Sequence, residues 1–286
     1  MAHPIALSTP LGTVTGIEER GDAGSPLLVC IPGGSYNSHY FDVKGHSLLA
    51  AAHDHGFPIV ALDRPGYQGS DALHGEITYA KHAQVLNAAV AELWKQYSDS
   101  ATGVVLIGHS MGGAIAVHMA GQRPSWPLLG ISVTSIHTDA PEPVTQAWNS
   151  IPADATIPFS KEQRIQFMYG PEGTWDPEVV DDAEVATDLI PVAELLEVVG
   201  GWTTDFTTLA TEVTVPVHYA LAEHEGLWIS TDEGVQAFAA AFTASPSVTA
   251  ERVSGSGHNL DHHHGSGEFH ERQLAFARTA AAAARL

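Results

Sequence analysis

Cysteine is nearly absent from this 286-residue chain: Cys30 stands alone. That excludes an intramolecular disulfide framework and a four-thiolate zinc site. Basic residues are also scarce, with 12 Lys and Arg against 33 Asp and Glu, a formal net charge of −21. Such a polyanion repels nucleic acid and anionic lipid, so neither is an expected partner. No apolar run approaches the ~20 residues of a transmembrane helix. The opening residues lack a basic segment followed by a long apolar run, so no signal peptide is expected. Charged residues make up only 16% and hydrophobic ones 44%, enough for a packed core. A soluble, cytoplasmic globular protein is the expectation. The length suits two domains of ~150 residues each, or one large domain with an insertion.

Short apolar runs alternate with helical periodicity, the pattern of a mostly parallel sheet covered by helices. Strands are predicted at Gly12–Glu19, Pro26–Ile31, Phe57–Leu62, Gly103–Ile107, Leu128–Ile136, Val215–Leu221 and Ser247–Val253. Tyr79–Tyr97 has helical spacing at Val85, Ala88, Ala89, Leu93 and Trp94. Helices are also predicted at Ala114–Gly121 and Glu268–Leu286. Between Asp139 and Thr214 the rhythm breaks. That interval has prolines, charges and scattered aromatics, with helical pieces at Ile165–Tyr169 and Val192–Val199. It reads as a helical insertion. No internal repeat is visible.

The chemistry-bearing feature is Gly108-His109-Ser110-Met111-Gly112, a Gly-x-Ser-x-Gly nucleophile elbow between a predicted strand and a predicted helix. A chain turning that sharply leaves no room for side chains two positions either side of the serine. The helix N-terminus then offers free N–H groups to a developing oxyanion. His109, on the same turn, is expected to pack rather than react. A serine hydroxyl needs a general base, and 17 histidines are available. His258 lies in the small-residue loop Gly255-Ser256-Gly257-His258-Asn259 after the last predicted strand. His262, His263 and His264 compete with it. Beside Asp261 they could also bind a metal, but adjacent histidines on a flexible stretch seldom close a site; a solvated loop or helix start is expected there.

With this elbow in place the chain resembles the α/β-hydrolase fold family, over nearly its whole length. Pro32-Gly33-Gly34-Ser35 resembles the family's oxyanion loop, with Pro32 where histidine is commoner. Asp63-Arg64-Pro65-Gly66-Tyr67-Gln68-Gly69-Ser70 looks like the loop after its next strand. The resemblance implies a mostly parallel, doubly covered sheet, with a helical lid at 139–214 inserted between two late strands of a core made of 1–138 and 215–286. It places the base at His258. It places the acid about nine positions beyond Pro216, at Glu225; Glu223 and Asp139 remain alternatives. It gives the oxyanion hole to the N–H groups of Met111 and Gly34, with Ser35 as the near alternative to Gly34.

Arg64 is expected to be structural, held by a local carboxylate, and Cys30 to be inert core. Tyr36, Tyr40, Phe167, Trp175 and Trp228 are candidate pocket walls, and His39 a further one. The expected function is a serine hydrolase acting on a small to medium, largely apolar ester, lactone or thioester, with no cofactor and no metal. Ser110 in place of an aspartate argues against epoxide hydrolase and dehalogenase chemistry. Two alternatives stay open: non-hydrolytic or carbon–carbon bond-cleaving chemistry with the same residues, and a ligand-binding protein with negligible turnover.

Overall fold

The structure, a computed structural model, describes residues 2–284. Met1, and the last two residues of the helix expected at the C-terminal end, lie outside the described residues. The strands are β1 (His3–Thr9), β2 (Gly12–Glu19), β3 (Leu27–Ile31), β4 (Ile59–Leu62), β5 (Val104–His109), β6 (Leu128–Thr134), β7 (Thr156–Ile157), β8 (Ile190–Pro191), β9 (Val217–His224) and β10 (Val248–Gly257). The helices are α1 (Leu48–Asp54), α2 (Tyr79–Tyr97), α3 (Met111–Gly121), α4 (Glu142–Asn149), α5 (Lys161–Met168), α6 (Pro177–Asp182), α7 (Val192–Val199), α8 (Gly201–Glu212), α9 (Asp232–Ala240) and α10 (Ser266–Ala283).

Eight strands form one sheet in the order β1-β2-β4-β3-β5-β6-β9-β10. β1, β2 and β4 pair antiparallel; every pairing from β4 to β10 is parallel. This is the α/β-hydrolase fold. Strand alternation explains the two covered faces. Val29 and Ile31 of β3 point into a core shared with α2, α3, α8 and α9, while Leu28 and Cys30 point into one shared with α1 and α10. A strand buried on both faces reads as a continuous apolar run, which is why these segments were visible in the sequence. β1 was not, because most of its residues are exposed at the sheet edge. α1 and α9 are too short to show a period.

The chain leaves β3 toward β4 on one side and returns to β5 on the other, so strand order reverses at β3. In open α/β sheets that reversal opens a crevice at the carboxyl ends of the strands. Gly33 and Gly34 follow β3 there, and Ser110 follows β5.

The segment between β6 and β9 holds α4 to α8 and the two-residue ladder β7–β8. α8 lies inside the 139–214 interval but packs on the sheet core: Trp202 Nε1 donates to the His137 carbonyl at 2.9 Å, and Phe206 stacks on Phe238 of α9.

Candidate active site

β5 is buried along its whole length and delivers the chain into a turn that only small residues permit. Ser110 sits at φ 54°, ψ −124°, a region disfavoured for a side-chain-bearing residue by about 1–3 kcal/mol. A Cβ on Gly108 would lie 2.4 Å from the Gly112 carbonyl oxygen, and one on Gly112 would lie 2.0 Å from that of Ile31. The turn is held by Ser110 N donating to Thr134 O at 2.7 Å and Gly113 N donating to Ser110 O at 2.8 Å. α3 begins at Met111, so the Met111 N–H belongs to the positive end of the helix.

His258 follows β10, its carbonyl accepting from Ser135 Oγ at 2.7 Å. Glu225 follows β9, its side chain fully buried. His258 Nδ1 is 2.8 Å from Glu225 Oε2, and His258 Nε2 is 2.9 Å from Ser110 Oγ. A carboxylate only accepts, so Nδ1 carries the proton and Nε2 is free to accept from the serine hydroxyl. Three chain segments far apart in sequence therefore make one hydrogen-bond chain. Glu223 faces the other way, accepting from Gly255 N at 2.9 Å. Asp139 uses its backbone carbonyl to accept from Ile229 N at 2.9 Å.

Gly34 lies against Met111: a Cβ there would come within 2.7 Å of Met111 Sδ and 2.6 Å of Ile190 Cδ1. Ser35 sits beside it on the same cavity wall, at φ 60°. The cavity in front of Ser110 has a volume of only about 20 Å³, room for roughly one water molecule. Trp148 of α4, Phe159, Leu195 of α7, Leu227 and Trp228 help to close it. Four of these, Trp148, Phe159, Leu195 and Leu227, also line an outer apolar crevice of about 380 Å³ that includes Phe167.

Of the expected wall residues, Trp228 lines the cavity and Phe167 the outer crevice. Tyr36, Tyr40 and Trp175 line neither. Tyr36 and Tyr40 are buried behind His258: Tyr36 Oη accepts from Asn259 Nδ2 at 2.8 Å, and Tyr40 Oη donates to Asp261 Oδ2 at 3.0 Å. Trp175 packs on Tyr169, ring centroids 5.2 Å apart. His39 N caps back to Asn37 Oδ1 at 3.0 Å in a short 3-10 turn. Sequence reasoning missed Met168, Ile190 and Leu227 as walls. They fall in an irregular segment or beyond a strand end, where no periodicity points to a shared cavity.

Of the histidine tract, which runs up to the start of α10, only His264 is exposed to solvent. His262 and His263 are fully buried. His262 Nε2 donates to the Tyr40 carbonyl at 3.0 Å, and His263 Nδ1 donates to that of Asn259 at 2.8 Å. Burial lowers both imidazoles, His262 to about 4, so they stay neutral. Asp261 is buried as well. Burial opposes its charge, but the 3.0 Å bond to His270 and the surrounding imidazoles outweigh that and hold it at about 2. Among the described residues, no group of three or more His, Cys, Asp or Glu is arranged to hold a metal ion. No helix among them is long and apolar enough to cross a membrane. Cys30 is buried, and burial pushes its thiol well above the usual range. Arg64 pairs with Glu194, 130 residues along the chain, rather than with a local carboxylate.

Fold and elbow together define a protein of the α/β-hydrolase class. The family model described as "Alpha/beta hydrolase family" matches residues 28–272, and the chain belongs to that family. It is 27% identical over 128 residues to the "AB hydrolase superfamily protein YfhM" of Bacillus subtilis, a match covering 44% of this chain and 42% of that protein. It is 32% identical over 126 residues to "Protein phosphatase methylesterase 1" of Mus musculus, covering 42% and 30%. The chain thus spans less than half the length of these curated relatives. Among solved structures, a thermophilic esterase from Thermogutta terrifontis matches with a TM-score of 0.64 at 19% identity, over 97% of both chains. Carboxylesterase CesB of Bacillus subtilis matches with 0.66 at 18%, over 96% of this chain and 91% of that one. E-2-(acetamidomethylene)succinate hydrolase matches with 0.69 at 16%, over 96% and 99%. At these identities the structural likenesses establish the fold alone.

Proposed function

We propose that this enzyme cleaves small to medium, largely apolar esters, lactones or thioesters by acyl transfer through Ser110. The observation that carries the reading is the unbroken chain from Ser110 Oγ through His258 to Glu225, at 2.9 and 2.8 Å. Ser110 Oγ adds to the carbonyl carbon while His258 Nε2 takes its proton. The carbonyl electron pair moves onto oxygen, where the N–H groups of Gly34 and Met111 hold the negative charge. Glu225 keeps the imidazole in the accepting tautomer and stabilises the imidazolium. His258 then gives its proton to the departing oxygen or sulfur as that bond breaks. Water, losing a proton to the same nitrogen, adds to the acyl-enzyme, and collapse returns the proton to Ser110.

Residues 139–214 act as the lid over the core of 1–138 and 215–286, with α8 as its anchor. The support is the wall around Ser110: α4 and α7 shut a 20 Å³ cavity off from a 380 Å³ apolar crevice, and an acyl group needs the two joined. Lids of this kind open and close to admit substrate. The apolar lining favours an uncharged acyl group. The esterase and methylesterase named among similar proteins make esters the first class to assay.

The test is a fluorophosphonate probe with peptide mapping, alongside a panel of chromogenic esters, lactones and thioesters and Ser110→Ala as control. We expect label on Ser110 alone, and turnover that vanishes in Ser110→Ala. Label on another serine, or ester turnover that survives Ser110→Ala, refutes the reading.

A further inference from the structure

A fully buried ion pair lies outside the hydrogen-bond chain of the active site and touches the oxyanion loop. Arg64, from the loop after β4, donates through one guanidinium nitrogen to Glu194 Oε2 at 2.7 Å and through the other to the Gly33 carbonyl at 3.1 Å. Its side chain has 0% exposure and that of Glu194 has 1%. Glu194 belongs to α7, within the covering segment. Tyr67 Oη also donates to Glu194 Oε2, at 2.8 Å, and Tyr79 Oη donates to the Glu194 carbonyl at 2.9 Å. His82 Nε2 stands 3.2 Å from Oε1. Arg64 lies over the Tyr67 ring at 4.1 Å, which limits its freedom to swing away.

The consequence lies in one peptide plane. The Gly33 carbonyl and the Gly34 N–H belong to the same trans peptide and point in opposite directions. Whatever holds the carbonyl also aims the N–H. Two glycines in succession leave the backbone free to rotate that plane, so an external anchor is needed. Arg64 holds the carbonyl at 3.1 Å, and Tyr36 N, at 3.4 Å, gives it a second, longer bond. The planar guanidinium fork suits a carboxylate and a carbonyl at once, which an ammonium does not match.

We propose that Arg64 and Glu194 are positioning residues for the oxyanion hole: Glu194 on α7 orients Arg64, Arg64 fixes the Gly33 carbonyl, and the Gly34 N–H is thereby aimed at the substrate oxygen. Docking of the covering helix and assembly of the hole are then one event. A substrate enclosed under α7 meets a formed hole; with α7 displaced, Arg64 loses its carboxylate and the Gly33–Gly34 peptide is free to turn. The inference rests on the reading of Ser110 as nucleophile and Gly34 as an oxyanion donor.

The test uses Arg64→Met, Arg64→Lys and Glu194→Gln in the full chain, each first checked for a wild-type circular dichroism spectrum. An oxygen ester and its thionoester are compared, because a sulfur anion is a poor acceptor for the hole. In wild type the oxygen ester should be strongly preferred. In Arg64→Met and Glu194→Gln we expect kcat on the oxygen ester to fall by about 10²–10³, the loss of one oxyanion donor. KM should change little, and the preference over the thionoester should collapse. Arg64→Lys should recover part of both. Where Arg64→Met does not fold, the other two variants carry the test. A folded variant with an unchanged preference overturns the proposal, including one that loses activity only in proportion to its titrated active sites. Failure of the underlying reading looks different: Ser110→Ala would then hydrolyse the ester like wild type.

Discussion

His109 lies flat against Tyr40, ring centroids 4.4 Å apart and planes 13° from parallel, and its ring meets His258 at 5.1 Å. The histidine adjacent to Ser110 in sequence is thus a packing element between Tyr40 and His258. Burial, with His258 adding to it, holds His109 well below its ordinary pKa, so it is neutral. His109→Phe preserves the stack, so it should keep kcat/KM near wild type while changing folding stability by no more than about 1.5 kcal/mol, as a swap of similar volume does. His258→Ala should abolish turnover. Steady-state kinetics on one chromogenic ester checks both, and a crippling His109→Phe would give that imidazole a chemical part.

Glu225→Gln should lower kcat by about 10⁴, as loss of the orienting carboxylate does in a serine–histidine–aspartate enzyme. Glu223→Gln and Asp139→Asn should stay near wild type, since the carboxylate bonded to His258 Nδ1 is that of Glu225 and Glu223 is turned to Gly255 N. If Asp139→Asn is the damaging change, the acid comes from the end of β6.

Phe167 and Trp175 should part company. Phe167 lines the 380 Å³ crevice, so Phe167→Ala should shift the preferred acyl length with little change in melting temperature. Trp175 is packed on Tyr169 away from the cavity, so Trp175→Ala should destabilise by about 3–5 kcal/mol with an unchanged substrate profile. Thermal melts and an ester-length series on both variants decide the matter.

Stability should fall in two stages on acidification. Burial holds His118 and His262 at about 4, against 6.5 when free. Between those values the unfolded chain binds protons that the folded one refuses. The stabilisation is complete above pH 6.5, declines as pH falls to 4 and is then exhausted. At ~1.36 kcal/mol per pKa unit each histidine supplies about 3 kcal/mol. Glu194 is the second stage. Burial alone would raise it, but Arg64 and His82 hold it at about 2, so its contribution is present above its ordinary 4.5 and lost on the way down to 2. Urea unfolding from pH 8 to 3 should show the first decline, and His118→Gln should shrink it. A flat profile between pH 7 and 4 contradicts the buried neutral state.

Gly112→Ala should cost more than ~4 kcal/mol or yield no folded protein, because its Cβ would meet the Ile31 carbonyl oxygen at 2.0 Å. A soluble variant with a wild-type melting temperature would mean that the elbow can relax away from β3.

Local chemistry alone made the sheet, the elbow and the loop that carries His258 legible. Buried parallel strands are apolar throughout, a tight turn demands Gly108 and Gly112, and His258 follows a visible strand in a loop of small residues. All of these are properties of neighbours in sequence. What no local pattern encodes is which distant side chains meet. Among Glu223, Glu225 and Asp139, all carboxylates near strand ends, only the family spacing from Pro216 favoured Glu225; β9 and β10 pairing turned Glu223 toward Gly255 and brought Glu225 to the imidazole. Tyr36 and Tyr40 looked like pocket walls from their place in the loop after β3, yet the fold of that loop sent them behind His258 to Asn259 and Asp261. Arg64 was expected to find a carboxylate nearby, and found Glu194 on a helix that only the packing of the covering segment brings to it. A buried charge must be paired, but pairing is satisfied in space, and space is assembled by the whole chain.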